Sequence, residues 1–249
     1  MEIKVYGNTN IGRVRKNNED AYGIYPDLSL FIVADGLGGH AGGEVASRLA
    51  VETIKDGLVS TESYRSSAEI TERIIEAIKG ANNRIIQRAS MMYDLKGMGT
   101  TVVVVKLEED NAMIAHVGDS RMYLIRKNKI TQITKDHTVV EEYIRLGLLT
   151  LQEALYHPNR HMLSRALGVS YDIDVDVADI QIAEGDIIIL CTDGLTNMLS
   201  EKEILSAITE LMPSPEKITD RLITLANNHG GIDNITVITI CIEQNNKGG

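Results

Sequence analysis

The sequence predicts an α+β fold in which antiparallel sheet is layered with helices. Short apolar runs rich in Val and Ile recur along the chain, bounded by Gly, Asp and Asn, and read as strands. Longer segments carry Ile, Leu and Ala at helical spacing. The two kinds come in blocks rather than in strict β–α alternation, which argues against a parallel sheet.

In chain order, the first strand is LSLFIVAD, ending at Asp35. A helix over about 43–58 follows, then a second over about 68–92 with Ile70, Ile74, Ile75, Ile78, Ile85 and Ile86 in helical period. Next come TTVVVVKL (100–107), NAMIAHVG (111–118) and RMYLIRK (121–127). Their links, Glu108 to Asp110 and Asp119 to Ser120, are too short for a parallel crossover, so these three are predicted to pair antiparallel. The segment 137–168 is mixed, punctuated by Gly147, Pro158 and Gly168, and reads as an excursion from the main body. DIIILCT (186–192), helices over about 201–211 and 215–228 separated by Pro213 and Pro215, and NITVITICI (234–242) complete the series. The end, 244–249, is a polar tail predicted to fray.

Composition narrows the function. The chain has 249 residues, a formal net charge of −10, no Trp and one Phe, so its core must be aliphatic. An acidic surface repels nucleic acid, although a bound metal reverses charge locally and leaves phosphorylated substrates open. No basic region followed by an apolar run opens the sequence, and no apolar stretch is long enough for a bilayer. Cys191 and Cys241 sit in apolar runs without a CxxC pair and read as buried hydrophobes. A cytoplasmic protein with no membrane partner is the expectation. The absence of a coiled coil or a long apolar surface helix predicts a monomer.

The acids carry the chemistry. Asp35, Asp119, Asp193 and Asp233 each stand at the lip of a predicted buried strand, and Glu19–Asp20 form a further pair. Asp beside Gly at a strand end is common turn chemistry, so any one alone says little. Together, if they converge, they repel: two unit charges about 4 Å apart cost roughly 4 kcal/mol at an effective dielectric near 20. A divalent cation removes that cost. The donors are oxygens only, without His or Cys at the matching positions, which selects Mg²⁺ or Mn²⁺ over zinc. The Gly-rich stretch DGLGGHAGGEVAS after the first strand matches no nucleotide-binding loop.

The ordered series RKNNED, VADGLGGHAGGEVAS, MGTT, AHVGDSRMYLI, KDHT, HPNRHMLSRALG, GDIIILCTDGLTN and GGIDNITVI resembles the metal-dependent protein phosphatases, the PPM or type 2C family, in their compact bacterial form. The resemblance spans nearly the whole chain. It implies a β-sandwich of two antiparallel sheets flanked by helices, in α-β-β-α layers, as one catalytic domain over 1–243 with a flap at about 137–168. It implies hydrolysis of phosphoserine and phosphothreonine by metal-activated water at two Mn²⁺ or Mg²⁺ ions, with a third, weaker site. Asp35 would bridge two metals, Asp193 and Asp233 would complete one site, and Glu19 with the Gly36 carbonyl the other. Asp119 with Asp193 matches the third position, and Asp20 would hold metal-bound water. Arg15, four residues before Glu19, matches the phosphate-binding arginine, with Arg13 as its competitor. His40 stands at the general-acid place, displaced from the Asp–Gly–His pattern of some members by Leu37, Gly38 and Gly39; a plain loop histidine is the other reading. His116 reads as structural, and His137 and His161 have no assigned role.

The expected partners are phosphorylated proteins, among them a Ser/Thr protein kinase and its substrates. Other readings are a catalytically silent phosphatase-like binding or sensor module, a hydrolase of small phosphate esters, and a regulatory phosphatase dedicated to one phosphoserine partner.

Overall fold

Strand parity builds the architecture. The computed structural model describes residues 2–38, 42–59, 66–211 and 214–243. One sheet runs β1–β11–β10–β7–β8, made of Glu2–Asn10 (β1), Ile235–Glu243 (β11), Ile187–Cys191 (β10), Arg121–Arg126 (β7) and Lys129–Gln132 (β8). The other runs β2–β3–β5–β6–β9, made of Asp20–Tyr25 (β2), Leu30–Leu37 (β3), Val102–Glu108 (β5), Asn111–Val117 (β6) and Asp176–Gln181 (β9), with the short β4 (Gly99–Thr100) beside β3. Every pairing is antiparallel.

Alternate residues of each central strand enter different layers. Phe31, Val33, Val103, Val105, Leu190 and Ile238 meet between the sheets. Leu30, Ile32, Val102 and Val104 point outward, against α1 (Gly42–Leu58) and α2 (Ser67–Met91). Ile187, Ile189 and Val237 point outward from the other sheet, against α6 (Glu201–Leu211) and α7 (Pro215–Asn228). The result is the α-β-β-α sandwich that the resemblance implies. Burying both faces is why these strands read as unbroken apolar runs, and each fully buried Ile or Leu contributes about 1.5–3 kcal/mol. Cys191 and Cys241 are buried within this packing, and burial pushes their thiols up, to about 12 and about 11.

The helices begin on capping side chains. Ser66 accepts the Glu69 N–H to open α2, and Ser214 accepts the Lys217 N–H with Pro215 in the first turn of α7. Within 137–168 lie α3 (Val139–Arg145), capped by Thr138, and α4 (Leu151–Leu155), opened by a Thr150–Glu153 capping box. The two ends of this segment are tied: His137 accepts from the Ser164 N–H at 2.9 Å and Thr138 bridges Leu163.

One expectation fails. NAMIAHVG and RMYLIRK do not pair: β6 pairs with β5 and β9, while β7 lies in the opposite sheet beside β10 and β8. The turn at Gly118, with φ of +106°, redirects the chain from one sheet into the other instead of folding it back. A Cβ there would meet the Thr101 side chain at 2.5 Å. The strands β1, β2, β4, β8 and β9 were absent from the sequence expectation. The polar tail at 244–249 lies outside the described residues.

Candidate metal centre

The carboxylates collect at one end of the sandwich because the strands that carry them end or begin there. Asp35 lies near the end of β3, and Asp20 opens the antiparallel neighbour β2. Asp119 follows the turn after β6; Asp193 follows β10 and opens α5 (Asp193–Thr196); Asp233 precedes β11. Glu19, Asp35, Gly36, Asp119, Asp193 and Asp233 line one cavity of about 360 Å³, with Arg15 at its side. Asp20 is buried behind it, 7 % exposed.

Each acid is held by its neighbours. Asp20 Oδ2 accepts hydrogen bonds from Thr192 (2.9 Å) and Thr236 (2.6 Å). The Asp35 N–H donates to Thr101 Oγ1 at 3.0 Å, and its carbonyl accepts from Thr100 Oγ1 at 2.9 Å. Asn197 donates to Asp193 Oδ2 at 3.0 Å. The Glu19 N–H donates to Asn234 at 2.8 Å, while the Asn234 amide donates to the carbonyls of Ile11 and Asn17. Asn234 thus fastens the 11–19 loop to the start of β11. Gly36 and Gly43 let three segments converge: a Cβ on Gly36 would overlap the Gly43 carbonyl, and one on Gly43 would overlap the Glu19 carboxylate.

The electrostatics are those of crowded anions. Burial pushes Asp20 up to about 7, with Asp193 and Asp233 adding to it and the two threonine bonds opposing it. Burial and the neighbouring Asp20, Asp193, Asp119 and Asp233 hold Asp35 well above the usual carboxylate range. Asp119 is pushed up to about 7 by burial and by Asp193. Asp193 is raised by burial and by Asp233. Among the described residues, two buried oxygens, Asp20 Oδ1 and Asp193 Oδ1, have no hydrogen-bond partner. Oxygen-only donors, mutual repulsion and orphaned buried oxygens fit a hard divalent cation, which would offset the last two.

Arg15 Nη2 lies 2.6 Å from Asp233 Oδ2, its side chain half exposed. Arg13 turns away, its guanidinium bonding Asn228 at 3.2 Å and its backbone N–H bonding the Gly231 carbonyl. Of the two arginines the sequence offers, Arg15 is the one on the cleft. His40 lies outside the described residues. His161, left without a role by the sequence, stands on the cleft wall together with Thr101 and Leu163.

Among the described residues, His116, His137 and Asp176 form a separate cluster of ligand-type side chains. Its imidazoles stack at 4.7 Å, and His137 Nε2, buried and without a hydrogen-bond partner among the described residues, lies 3.4 Å from Asp176 Oδ2. His137 Nδ1 accepts the Gly118 N–H at 3.1 Å, and His116 Nε2 sits 2.8 Å from the Lys135 carbonyl. Burial lowers His137 to about 4, so it is neutral. These bonds brace the turn that carries Asp119.

Sequence reasoning missed Thr101, Thr192, Thr236 and Asn234. The signal was adjacency: Thr192 immediately precedes Asp193, and Asn234 immediately follows Asp233.

The chain matches the model of the protein phosphatase 2C family over residues 10–225. It is 39% identical over 235 residues to the serine/threonine phosphatase stp of Listeria welshimeri, covering 93% of each chain. The structure of the S. agalactiae serine/threonine phosphatase superposes with a TM-score of 0.90 at 35% identity, covering 97% of this chain and 100% of that one. The catalytic domain of the serine/threonine protein phosphatase PstP, in complex with two manganese ions, superposes with a TM-score of 0.85 at 33% identity, covering 97% and 99%.

Proposed function

Because the chain belongs to the protein phosphatase 2C family, we propose that it is a metal-dependent hydrolase that removes phosphate from phosphoserine and phosphothreonine of other proteins. The observation that carries this reading is the cleft of convergent carboxylates with two orphaned buried oxygens. Its likeness to a phosphatase domain that binds two manganese ions supports two Mn²⁺ or Mg²⁺ ions per chain.

Glu19, Asp35, the Gly36 carbonyl, Asp193 and Asp233 are the residues to hold the two ions, with Asp119 serving a third beside Asp193. When bound, such ions lower the pKa of water toward neutrality and supply a nucleophile for attack on phosphorus. The protein's own residues do the rest. Asp20, whose Oδ2 is fixed by Thr192 and Thr236 and whose Oδ1 keeps no hydrogen-bond partner among the described residues, would hold solvent bound to such ions. Arg15 leaves Asp233 to pair with the phosphoryl oxygens through its planar fork, offsetting their charge as the bond to the leaving oxygen breaks. The leaving alkoxide needs a proton; His161 on the cleft wall is the described group of the right chemistry, and His40 is its competitor. The segment 137–168 acts as the flap that borders the substrate. Phosphoproteins phosphorylated by a Ser/Thr kinase are the partners, with no nucleic acid. No described helix is long and apolar enough to cross a membrane.

The deciding experiment is phosphate release from a phosphothreonine peptide with added Mn²⁺ and with excess EDTA. Release that requires Mn²⁺ is expected. No release from folded, metal-loaded protein would point to a silent binding module, and release from demonstrably metal-free protein would overturn the role given to the acids.

A further inference from the structure

Beside the carboxylate cleft lies a second cavity of about 550 Å³. Asp119, His161 and Asp193 line both, so the two adjoin. One wall comes from α3 and α4, through Ile144, Leu151 and Leu155; the facing wall carries Met198 and Ile232. Leu151, Leu155 and Ile232 are 72 %, 67 % and 52 % exposed. Large aliphatic side chains held open to water around one concavity mark a binding surface.

The polar groups of this cavity are largely committed elsewhere. Arg121 makes a forked pair with Asp136, at 2.9 Å from Nε to Oδ1 and 2.7 Å from Nη2 to Oδ2. The remaining charge near its floor is mostly acidic, from Asp119, Glu141 and Asp193, with Arg160 beside the shared His161. An acidic guest residue would meet like charge there, whereas an aliphatic one buries apolar surface on both walls.

We propose that this cavity is the subsite for a residue flanking the phosphoamino acid, and that it selects a bulky aliphatic side chain such as Leu or Ile. The proposal rests on the phosphatase reading above. With the phosphoryl group at the carboxylate cleft, an extended peptide advances about 3.3 Å per residue, which brings a side chain within three positions of the phosphothreonine into the adjoining cavity. The occupant is therefore the phosphorylated substrate itself, because the opening adjoins the acids and shares Asp119, His161 and Asp193 with their cleft.

The test uses phosphothreonine peptides that carry Leu, Ala, Lys or Asp at each position from three before to three after the phosphorylated residue, assayed in Mn²⁺ beside p-nitrophenyl phosphate. The wild-type protein is expected to prefer Leu to Ala by about tenfold in kcat/KM at one or two positions, with Asp poorest. Leu151→Ser with Leu155→Ser should bring the Leu-to-Ala ratio close to one. Ile232→Ser, on the opposite wall, should lower the same ratio independently. Equal rates for all peptides, a preference for Lys over Leu, or a Leu preference that survives both variants would overturn the subsite while leaving the phosphatase reading intact. A wild-type dimer in sedimentation that the double variant disperses would also overturn it, assigning the surface to a second copy of the chain. Failure to hydrolyse any peptide or the small ester would sink the phosphatase reading and the subsite together.

Discussion

Asp20 and Asp35 stand directly opposite each other as cross-strand partners in β2 and β3. Like charges in that relationship repel; Asp20 is buried, and Asp35 is partly buried on the cavity wall. The fold therefore keeps a local instability that a cation relieves. Asp35→Asn should raise the melting temperature of metal-free protein by a few degrees, about 2–4 °C for each kcal/mol recovered in a chain of this size. The same variant should gain no further stability from Mn²⁺ and should lose about 10³-fold or more in turnover, since metal chemistry supplies several kcal/mol. Scanning fluorimetry with EDTA and with Mn²⁺, beside a phosphopeptide assay, checks all three.

The pH dependence of the metal-free protein follows from the same cluster. An unfolded Asp titrates near 3.9, whereas Asp20 and Asp119 are pushed up to about 7 in the fold. Between those values the folded state binds more protons than the unfolded one, so this contribution makes stability fall as pH rises. In EDTA the melting temperature should drop between about pH 4 and pH 7, and saturating Mn²⁺ should flatten that slope. A rise across the window in EDTA would contradict the crowded-anion description.

Arg15 lies on Asp233 at 2.6 Å, where it neutralises one acid of the cleft. Arg15→Ala should raise KM for phosphopeptide by about tenfold or more, because a forked charge-assisted contact to phosphate is lost. Arg15→Lys should recover only part of it, since an ammonium lacks the fork. An unchanged KM would remove Arg15 from substrate binding.

Thr192 and Thr236 hold one oxygen of Asp20. Thr192→Val or Thr236→Val should weaken Mn²⁺ binding by about 10- to 100-fold, the usual cost of losing an outer partner of a metal site. Calorimetric titration with Mn²⁺ measures this directly, and the folded circular dichroism of each variant separates positioning from collapse.

For the leaving group, His161→Ala should slow phosphothreonine hydrolysis by about 10²-fold or more and spare p-nitrophenyl phosphate, whose phenolate leaves without a proton. The same pair of rates for His40→Ala decides between the two histidines. Equal losses on both substrates would give His161 a role in binding rather than in proton transfer.

The legible parts of the chain were those with one dominant signal. Runs such as TTVVVVKL show as strands because both of their faces are buried, at Val102 and Val104 on one side and Val103 and Val105 on the other. The edge strand β9 hid because only alternate residues are covered, so DVADIQ reads as polar chain. β1 hid for a similar reason, with no residue fully buried. Link length misled at Asp119–Ser120, because length restricts direction but does not choose the sheet; the left-handed conformation at Gly118 does that. The acids showed through their place at strand ends, whereas Thr192 and Thr236 look like ordinary strand residues. Their role exists only once β10 and β11 have paired and the opposite sheet brings the start of β2 against them.

The register between β1 and β11, running from Glu2 opposite Glu243 to Asn10 opposite Ile235, also orders events during synthesis. Asp233 and the Asn234 amide that anchors the 11–19 loop leave the ribosome more than two hundred residues after Arg15 and Glu19. A nascent chain grows at about 5–20 residues per second, so the earlier acids wait of order ten seconds or more for the partners that complete the cleft. Premature release of the nascent chain before residue 233 would therefore leave a fragment lacking Asp233, so that the cleft closes only when β11 has been made.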